Sequence, residues 1–233
     1  MSKRRQRRGK QTRKTKGASI CTGLAPEEEV FEEMDLEYES AFGCECKPAA
    51  IQFLLLNRTL GCIFTDLQTM VDRCGGYCAA HAWQWCDFTK FLVKYAIDIF
   101  VAGVSCRPYS LARSKRRSDG FEDHADHWMS EGFLACLLNM LPKCAILENV
   151  AGFVMTTRTT KDGRTVTTNP LKAFMARLKE VGVLNYYVVK VLFLAGQVFV
   201  PQTRNRVYIL FMSRKHGGKR AADRAERWTK DYF

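Results

Sequence analysis

The sequence predicts an α/β protein built on a doubly wound, mostly parallel sheet. Its 233 residues match the size of about one domain. Short apolar segments alternate with amphipathic helical patterns along most of that length, which is typical of a parallel sheet covered by helices on both faces. One segment, residues 97–104 (IDIFVAGV), is a continuous apolar run, as expected of a strand buried on both faces.

The first half of the chain predicts three strands, each followed by a turn or a helix. We expect these strands at residues 18–21, 40–46 and 61–65. The first helix begins at Pro26, because proline is favoured at the first helical position, and the second runs from Pro48 to about residue 57. Residues 67–90 give no clear prediction, since two adjacent glycines interrupt any helix there.

The second half continues the same alternation. We expect strands at residues 97–104, 144–147, 186–194 and 206–212. Helices are predicted at residues 128–141 and 170–181. The intervening segments are a charged, mobile loop at residues 112–126 and an irregular, threonine-rich stretch at residues 151–168.

Notable polar or small residues lie at the ends of five predicted strands. In doubly wound sheets the ligand binds beyond the carboxyl ends of the strands, so residues at those ends meet at one rim. The sequence therefore predicts an active site at this rim, formed by Gly23, Glu45, Asp66, Cys106 and Glu148.

The charge of the chain indicates a polyanionic partner. The formal net charge is +12, from 36 Lys and Arg against 24 Asp and Glu. Nine basic residues lie within residues 3–16, and eight acidic residues within residues 27–39 nearly cancel them. The excess therefore lies on the rest of the chain, notably at residues 113–117 and 214–230. Nucleic acid is the first candidate partner and an acidic membrane surface the second.

The charge pattern also predicts three segments: a disordered basic arm at residues 1–17, a folded domain at residues 18–213 and a basic tail at residues 214–233. The arm is a nuclear-import signal or a nucleic-acid-binding arm, or it only aids solubility. No apolar run reaches the roughly 18 residues of a membrane span, and the first residues contain no secretory signal. We expect a nuclear location, or otherwise a cytoplasmic one.

The ten cysteines are numerous for a chain without a secretory signal. A reducing compartment is expected, in which most cysteines are small buried side chains rather than disulfides. The group Cys74, Cys78, His81 and Cys86 contains ligand types that Zn²⁺ accepts. Its spacing matches no common zinc module, however, so we expect no metal.

Three short blocks follow one another along the chain: residues 103–110 (GVSCRPYS), residues 148–150 (ENV) and residues 201–206 (PQTRNR). In this order they resemble the G-F-P-C-Q-P-F-S, E-N-V and Q-x-R-x-R motifs of the cytosine-C5 methyltransferases that use S-adenosylmethionine. The resemblance covers roughly residues 18–212. It implies a Rossmann-like methyltransferase fold, with residues 18–213 as the catalytic domain, S-adenosylmethionine as cofactor and DNA as partner.

The resemblance assigns roles that fit the chemistry of cytosine. Because C5 of cytosine is a poor nucleophile, a thiolate must first add to C6. Cys106 would be this nucleophile, in an electropositive setting that Arg107 and the basic residues at 113–117 provide. Glu148 would hold the N3 and N4 edge of a base that has left its stack, and Arg204 and Arg206 would brace the loop and the base. Further residues implied around the base are Ser105, Arg107, Pro108, Asn149 and Gln202.

The resemblance assigns the methyl donor to the first half of the sheet. Gly23 would let the backbone approach the methionine portion, which a larger residue would obstruct. Glu45 would accept hydrogen bonds from the ribose hydroxyls. Asp66 would accept from the adenine amino group, and Leu67 would lie against the ring.

Several positions depart from the family pattern. Ser105 replaces the usual proline before the cysteine, which predicts a less rigid loop, and Arg107 replaces glutamine. The glycine-rich F-x-G-x-G-G block is represented only by residues 20–25 (ICTGLA). Only 27 residues follow Arg206, with no visible target-recognition region or final G-N block. We therefore expect a compact or C-terminally truncated member.

Three functions follow from these observations. The first is a DNA cytosine-C5 methyltransferase. The second is an enzyme of the same fold that acts on RNA, where recognition relies on shape and on splayed single strands. The third is a catalytically inactive module that binds nucleic acid through the same fold and basic surface.

Overall fold

The computed structural model describes residues 13–93, 96–110, 124, 126–161, 164–181, 185–194 and 205–232. In the first half the helices are α1 (Pro26–Glu33), α2 (Pro48–Asn57) and α3 (Leu67–Asp72). The strands there are β1 (Thr15–Ile20), β2 (Tyr38–Cys44), β3 (Ile63–Phe64), β4 (Gly75–Cys78) and β5 (Gln84–Asp87).

In the second half the helices are α4 (Trp128–Met140), α5 (Pro170–Glu180) and α6 (Gly218–Tyr232). The strands there are β6 (Ile99–Ala102), β7 (Cys144–Val150), β8 (Thr157–Lys161), β9 (Arg164–Thr168), β10 (Tyr186–Leu194) and β11 (Asn205–Ser213). The predicted charged loop at residues 112–126 lies almost entirely outside the described residues.

Nine strands form one sheet in the order β10-β11-β7-β6-β1-β2-β3-β4-β5. The five central strands, from β7 to β3, are parallel. Antiparallel strands flank them on both sides, with β11 and β10 at one end and β4 and β5 at the other. The predicted α/β fold with a parallel central sheet is confirmed, as a single domain.

Two groups of phenylalanines fill much of the core. Where aromatic rings pack edge-on or at a tilt, they bury large apolar areas in a defined geometry. One group joins the segment after β5 to β2 and β3, with ring centroids 4.8–6.3 Å apart: Phe42, Phe64, Phe88 and Phe91. The other joins α4 and α5 to β6 and β11, at 5.5–6.5 Å: Phe100, Phe133, Phe174 and Phe211.

Strand β1 begins earlier than the sequence predicts, inside the segment expected to be a disordered arm. Thr15 pairs with Tyr38 of β2, and the backbone N–H of Lys16 donates to Asp98 Oδ2 at 2.8 Å. These bonds add Thr15, Lys16 and Gly17 to the strand, none of which apolar patterning could indicate. Residues 1–12 of the arm lie outside the described residues.

Two hairpins are absent from the sequence prediction. β4 and β5 form one of them, within residues 67–90, for which the sequence gives no clear pattern. β8 and β9 form the other, so the prediction of an irregular stretch at residues 151–168 is wrong. Threonine favours strands because its side chain is branched at Cβ, but a polar hairpin lacks the alternation of apolar residues that reveals most strands.

The segment predicted as a basic tail contains a helix that packs on the sheet. Ala222 of α6 is buried against Val189 of β10, and Ala225 packs beside it. The guanidinium of Arg214 lies over the ring of Tyr187, 4.0 Å from its centroid. The α6 residues in this cluster are small alanines, which explains why the many charges of the helix dominated the prediction. Among the described residues, no helix is both long and apolar enough to cross a membrane.

Candidate active site

The carboxyl ends of four parallel strands lie level with one another. Ile20 of β1 pairs with Cys44 of β2 and with Ala102 of β6, and Ala102 pairs with Leu147 of β7. The sequence order of the strands changes direction between β1 and β6, which is where doubly wound sheets open a ligand crevice. The next residue of each strand therefore lies at one rim: Cys21, Glu45, Gly103 and Glu148.

The turn after β1 is fastened to the end of β2. The backbone N–H of Gly23 donates to Glu45 Oε2 at 2.8 Å, and the N–H groups of Cys46 and Lys47 donate to Oε1 at 2.9 Å. Glu45 is 7% exposed, so its carboxylate is held in one position. Thr22 adds a second link, because its Oγ1 accepts from the backbone N–H of Cys44 at 2.9 Å.

Gly23 has a left-handed backbone conformation and faces open space. Its φ of 58° lies in the left-handed region, which glycine adopts without strain. A Cβ built on Gly23 would meet no described atom within 4 Å, so open space lies in front of this turn. A ligand could reach the backbone there.

The other two residues predicted to bind the methyl donor, Asp66 and Leu67, lie at the start of α3. Asp66 is exposed and caps this helix, accepting from the backbone N–H of Thr69 at 2.6 Å. Leu67 is 6% exposed and packs toward α4, where Gly132 leaves room for its side chain. Asp66 therefore keeps a carboxylate at the surface, whereas Leu67 offers little surface to a ligand.

The loop that carries Cys106 follows β6 and is tied to the residues before α4. Ser105 Oγ–H donates to Asp126 Oδ2 at 2.7 Å. The exposed guanidinium of Arg107 lies 3.9 Å from the same oxygen. The backbone N–H of Tyr109 donates to the carbonyl of Cys106 at 3.0 Å and closes a turn around the half-buried thiol. The loop is thus held by side-chain contacts despite lacking the family's proline.

Tyr109 anchors the far end of the same loop. Its hydroxyl lies 2.8 Å from Ser130 Oγ and 3.3 Å from His127 Nδ1, both near the start of α4. Its ring packs edge-on against Phe153 at 4.7 Å, and burial raises the pKa of its phenol. The neighbouring Pro108 is also buried, so the segment after Cys106 is firmly packed.

Glu148 lies beside the nucleophile loop and is paired with Arg206. Arg206 Nε is 2.5 Å from Glu148 Oε1, and both side chains are largely buried. A Cβ built on Gly103 would lie 3.8 Å from Glu148 Oε2, so this carboxylate faces the start of the loop. The ion pair between Arg206 and Glu148 was not anticipated from the sequence, which predicts for Arg206 only contacts with the loop and the base.

Asn149 has an unsatisfied donor next to this ion pair. It is 1% exposed, and its Oδ1 accepts from the backbone N–H of Val150 at 2.8 Å. Its Nδ2 is buried and has no hydrogen-bond partner among the described residues. An unpaired buried donor is costly, so this position is suited to a ligand that accepts a hydrogen bond.

Several predicted site residues lie outside the part of the chain that the structure describes. These are Gln202 and Arg204 of the third block and the basic residues at 113–117. Conversely, Asp126 and Tyr109 were missed as loop-holding residues. The tyrosine stands within the first block, which could have drawn attention to it, whereas nothing in the sequence links Asp126 to Ser105.

Cys21 is a second sulfur at the rim. Burial, together with the nearby Glu45 carboxylate, raises the pKa of its thiol to about 12. Its carbonyl oxygen would lie 3.6 Å from a Cβ on Gly103. Since only a thiolate is a strong nucleophile, Cys21 is a neutral packing residue at ordinary pH.

The cysteine and histidine group considered above is only partly assembled. Cys78, His81 and Cys86 come together, and the fourth member is Cys62 rather than Cys74. This group lies at the β4–β5 hairpin, which occupies one end of the sheet.

Comparisons with known proteins agree on one family. The family model of the C-5 cytosine-specific DNA methylase matches residues 33–232. No curated protein matches the chain in sequence.

Three solved structures share the fold. A protein of an E. coli prophage, described as a DNA modification methyltransferase, has a TM-score of 0.57 at 13% identity over 86% of this chain and 47% of its own. The S. pombe Dnmt2 methyltransferase has a TM-score of 0.53 at 15% identity over 86% and 49%. The Entamoeba histolytica methyltransferase EhMeth has a TM-score of 0.54 at 11% identity over 86% and 53%. The chain spans about half the length of these structures.

Proposed function

Because the chain belongs to the C-5 cytosine-specific DNA methylase family, we propose that it transfers a methyl group from S-adenosylmethionine to C5 of cytosine in DNA. The observation that carries this proposal is the position of Glu148. Its carboxylate faces Gly103, three residues before Cys106, at the carboxyl ends of two adjacent parallel strands. A nucleophile and a carboxylate on neighbouring strand ends can engage one base from two sides.

In the proposed reaction the Cys106 thiolate adds to C6 of the base, and the electron pair of the C5–C6 bond becomes available at C5. C5 would then take the methyl group, and the donor would leave as the neutral thioether S-adenosylhomocysteine. Loss of the C5 proton to water restores the C5–C6 double bond as the bond between sulfur and C6 breaks, which returns the thiolate. Glu148 accepts from the exocyclic amino group and stabilises a proton at N3 as charge develops. Arg206 positions Glu148 through their ion pair.

The residues at the end of β1 and β2 fit the methyl donor. Gly23 faces open space, and Glu45 presents a fixed carboxylate whose one remaining lone pair, on Oε2, suits a ribose hydroxyl. Asp66 keeps an exposed carboxylate for the adenine amino group, with one oxygen engaged in capping α3. S-adenosylmethionine, when bound, supplies an electrophilic methyl group on a sulfonium.

The DNA acceptor is supported by the basic surface around the rim. Arg107 is exposed directly beside Cys106, and Arg158 of the β8–β9 hairpin, which follows β7 and its Glu148, is also exposed. Positive side chains that bind phosphates fix the position of the duplex without reading its sequence. The basic arm at residues 1–17 supports a nuclear location, because clustered lysines and arginines are typical of nuclear-import signals as well as of segments that bind nucleic acid.

The test is methyl transfer from labelled S-adenosylmethionine to unmethylated DNA and to RNA, followed by mass spectrometry of the nucleosides. We expect 5-methylcytosine in DNA, and a loss of at least about 10³-fold in rate for Cys106→Ala, because the covalent step then has no nucleophile. Cys74→Ser is the matched control, since Cys74 is exposed and is assigned to neither the base nor the methyl donor.

Each other outcome has a defined meaning. Transfer to RNA alone would replace DNA by RNA as the acceptor. Full activity of Cys106→Ala would exclude the covalent route. No transfer to either acceptor, with salt-sensitive binding retained, would identify an inactive nucleic-acid-binding relative.

A further inference from the structure

Four side chains with metal-binding atoms meet at one end of the sheet, far along it from β6 and β7. Their ligand atoms all lie within 4.8 Å of one another. Cys62 precedes β3, Cys78 ends β4, His81 lies in the turn that follows, and Cys86 belongs to β5. The group therefore joins two parts of the chain that are well separated in sequence.

The distances within the group match tetrahedral coordination. His81 Nδ1 lies 3.8 Å from the Sγ of Cys62, 3.2 Å from that of Cys78 and 3.2 Å from that of Cys86. With Zn–S bonds of about 2.3 Å and a Zn–N bond of about 2.0 Å, sulfur and nitrogen ligands are about 3.6 Å apart. The observed distances lie on both sides of this value.

Hydrogen bonding alone does not explain the arrangement. A ring nitrogen offers one N–H or one lone pair, so it can serve one sulfur well but not three. A cation between the four atoms would instead satisfy all of them at once. The sulfur atoms also have partners of the kind that support thiolates: Ile63 N–H donates to Cys78 Sγ at 3.2 Å, and Lys90 Nζ lies 3.5 Å from Cys62 Sγ.

The backbone after His81 is held in an uncommon conformation. Ala82 and Trp83 both have positive φ, 50° and 62°, although neither is glycine. The N–H of Trp83 donates to the carbonyl of Cys78 at 2.9 Å, which closes the turn. Such residues persist only where surrounding contacts fix them, and here the turn directs His81 toward the three sulfurs.

We propose that Cys62, Cys78, His81 and Cys86 bind one Zn²⁺ ion as a structural site. Three thiolates and one imidazole complete a four-coordinate shell, which leaves no position for substrate. Cys62 and Cys78 are buried, whereas His81 is exposed and Cys86 partly so, which gives the ion a path of entry. This site departs from the expectation of no metal, and it holds whether or not the chain transfers methyl groups.

Metal analysis of the purified chain tests the proposal directly. We expect about one zinc ion per chain by mass spectrometry, and X-ray absorption should show three sulfur atoms at about 2.3 Å and one nitrogen at about 2.0 Å. Co²⁺ exchanged into the site should give the visible bands of a tetrahedral thiolate complex. Wild-type protein that neither retains nor takes up stoichiometric metal would overturn the proposal.

Variants identify the ligands. Cys62→Ser and Cys86→Ser should lower the zinc content at least about fivefold, whereas Cys74→Ser should retain it, because Cys74 belongs to the same region but lies outside the group. His81→Cys should keep the metal as a four-thiolate site, a common structural zinc shell. If the serine variants do not fold, His81→Cys and the absorption spectrum of wild-type protein still decide. Equal metal loss in Cys74→Ser and Cys86→Ser would contradict the assignment.

Discussion

Ser105 helps to fix the loop that carries Cys106 through its side-chain hydroxyl. Its hydroxyl donates to Asp126 Oδ2 at 2.7 Å, and Arg107 lies near the same oxygen. A proline at this position would restrict the loop through its ring, whereas Ser105 restricts it through a hydrogen bond to the Asp126 side chain. The rigidity of the loop therefore depends on a residue that lies 21 positions further along the chain.

Removing either partner should loosen the loop. We expect Ser105→Ala to lower the free energy of unfolding by about 1 kcal/mol, the usual size of one hydrogen bond, and to lower kcat several-fold. Asp126→Asn should behave similarly, and the double variant should lose little more than either single one. Chemical denaturation and steady-state kinetics measure the two effects. Additive losses would show that the two side chains act independently.

At the same scale, the sequence predicts single residues better than their partners. Cys106 and Glu148 stand in short blocks whose residue types match a known chemistry. The pairing of Glu148 with Arg206 depends on the antiparallel register of β7 and β11, which no local pattern encodes. The sequence grouped Cys74, rather than Cys62, with the other cysteines and the histidine for the same reason, because only the fold brings β3, which follows Cys62, beside β4.

Strands β1, β6 and β7 are joined at their amino ends by one carboxylate. Asp98 precedes β6, accepts from the N–H of Lys16 in β1, and pairs with the ammonium of Lys143 before β7. Burial by itself would raise the pKa of the Asp98 carboxyl, but the hydrogen bonds from Lys143 and Lys16 hold it below its ordinary value. The ionised form is therefore favoured in the folded protein.

The sign of this shift predicts a pH dependence. A carboxyl whose pKa is lowered on folding stabilises the protein above its unfolded pKa of about 4, and this contribution is lost as the pH falls. We expect Asp98→Asn to lower the free energy of unfolding by about 1 kcal/mol at pH 7 and by much less near pH 3. Denaturant titrations at both values measure it. An equal loss in the free energy of unfolding at pH 3 and pH 7 would mean that the charge of Asp98 does not contribute to stability.

Elements with an apolar face were predicted well, and those without one were not. The strand at residues 97–104 buries four of its side chains, and Tyr186 and Val189 of β10 are buried, so their apolar patterns are visible. Most of the described side chains of the β8–β9 hairpin and of α6 are exposed, and α6 contacts the sheet through alanines. Hydrophobic periodicity reports burial, and an element that buries little leaves only a weak signal.

Across the whole molecule, positive charge should govern the affinity for nucleic acid. With a net charge of +12, binding releases counterions from the phosphates, and affinity then falls as salt rises. We expect the dissociation constant for a labelled oligonucleotide to increase at least about tenfold between 50 and 200 mM salt.

The nucleophile offers a control for this measurement. Cys106→Ala should show the same salt dependence as wild-type protein in fluorescence anisotropy, because in the proposed mechanism the thiol contacts the base rather than phosphates. Affinity that does not change with salt would assign binding to uncharged contacts instead.

The position of the β4–β5 hairpin has a consequence for solubility. Strand β3 contains only two residues, both buried, and the hairpin covers its outer side. If the hairpin detached, β3 would expose unpaired backbone groups, and the adjacent phenylalanines would expose apolar surface. Such an edge is a template for pairing with a second copy of the chain. The cysteine and histidine group would then protect the chain against aggregation, and removing its metal should produce precipitate before it produces unfolded monomer.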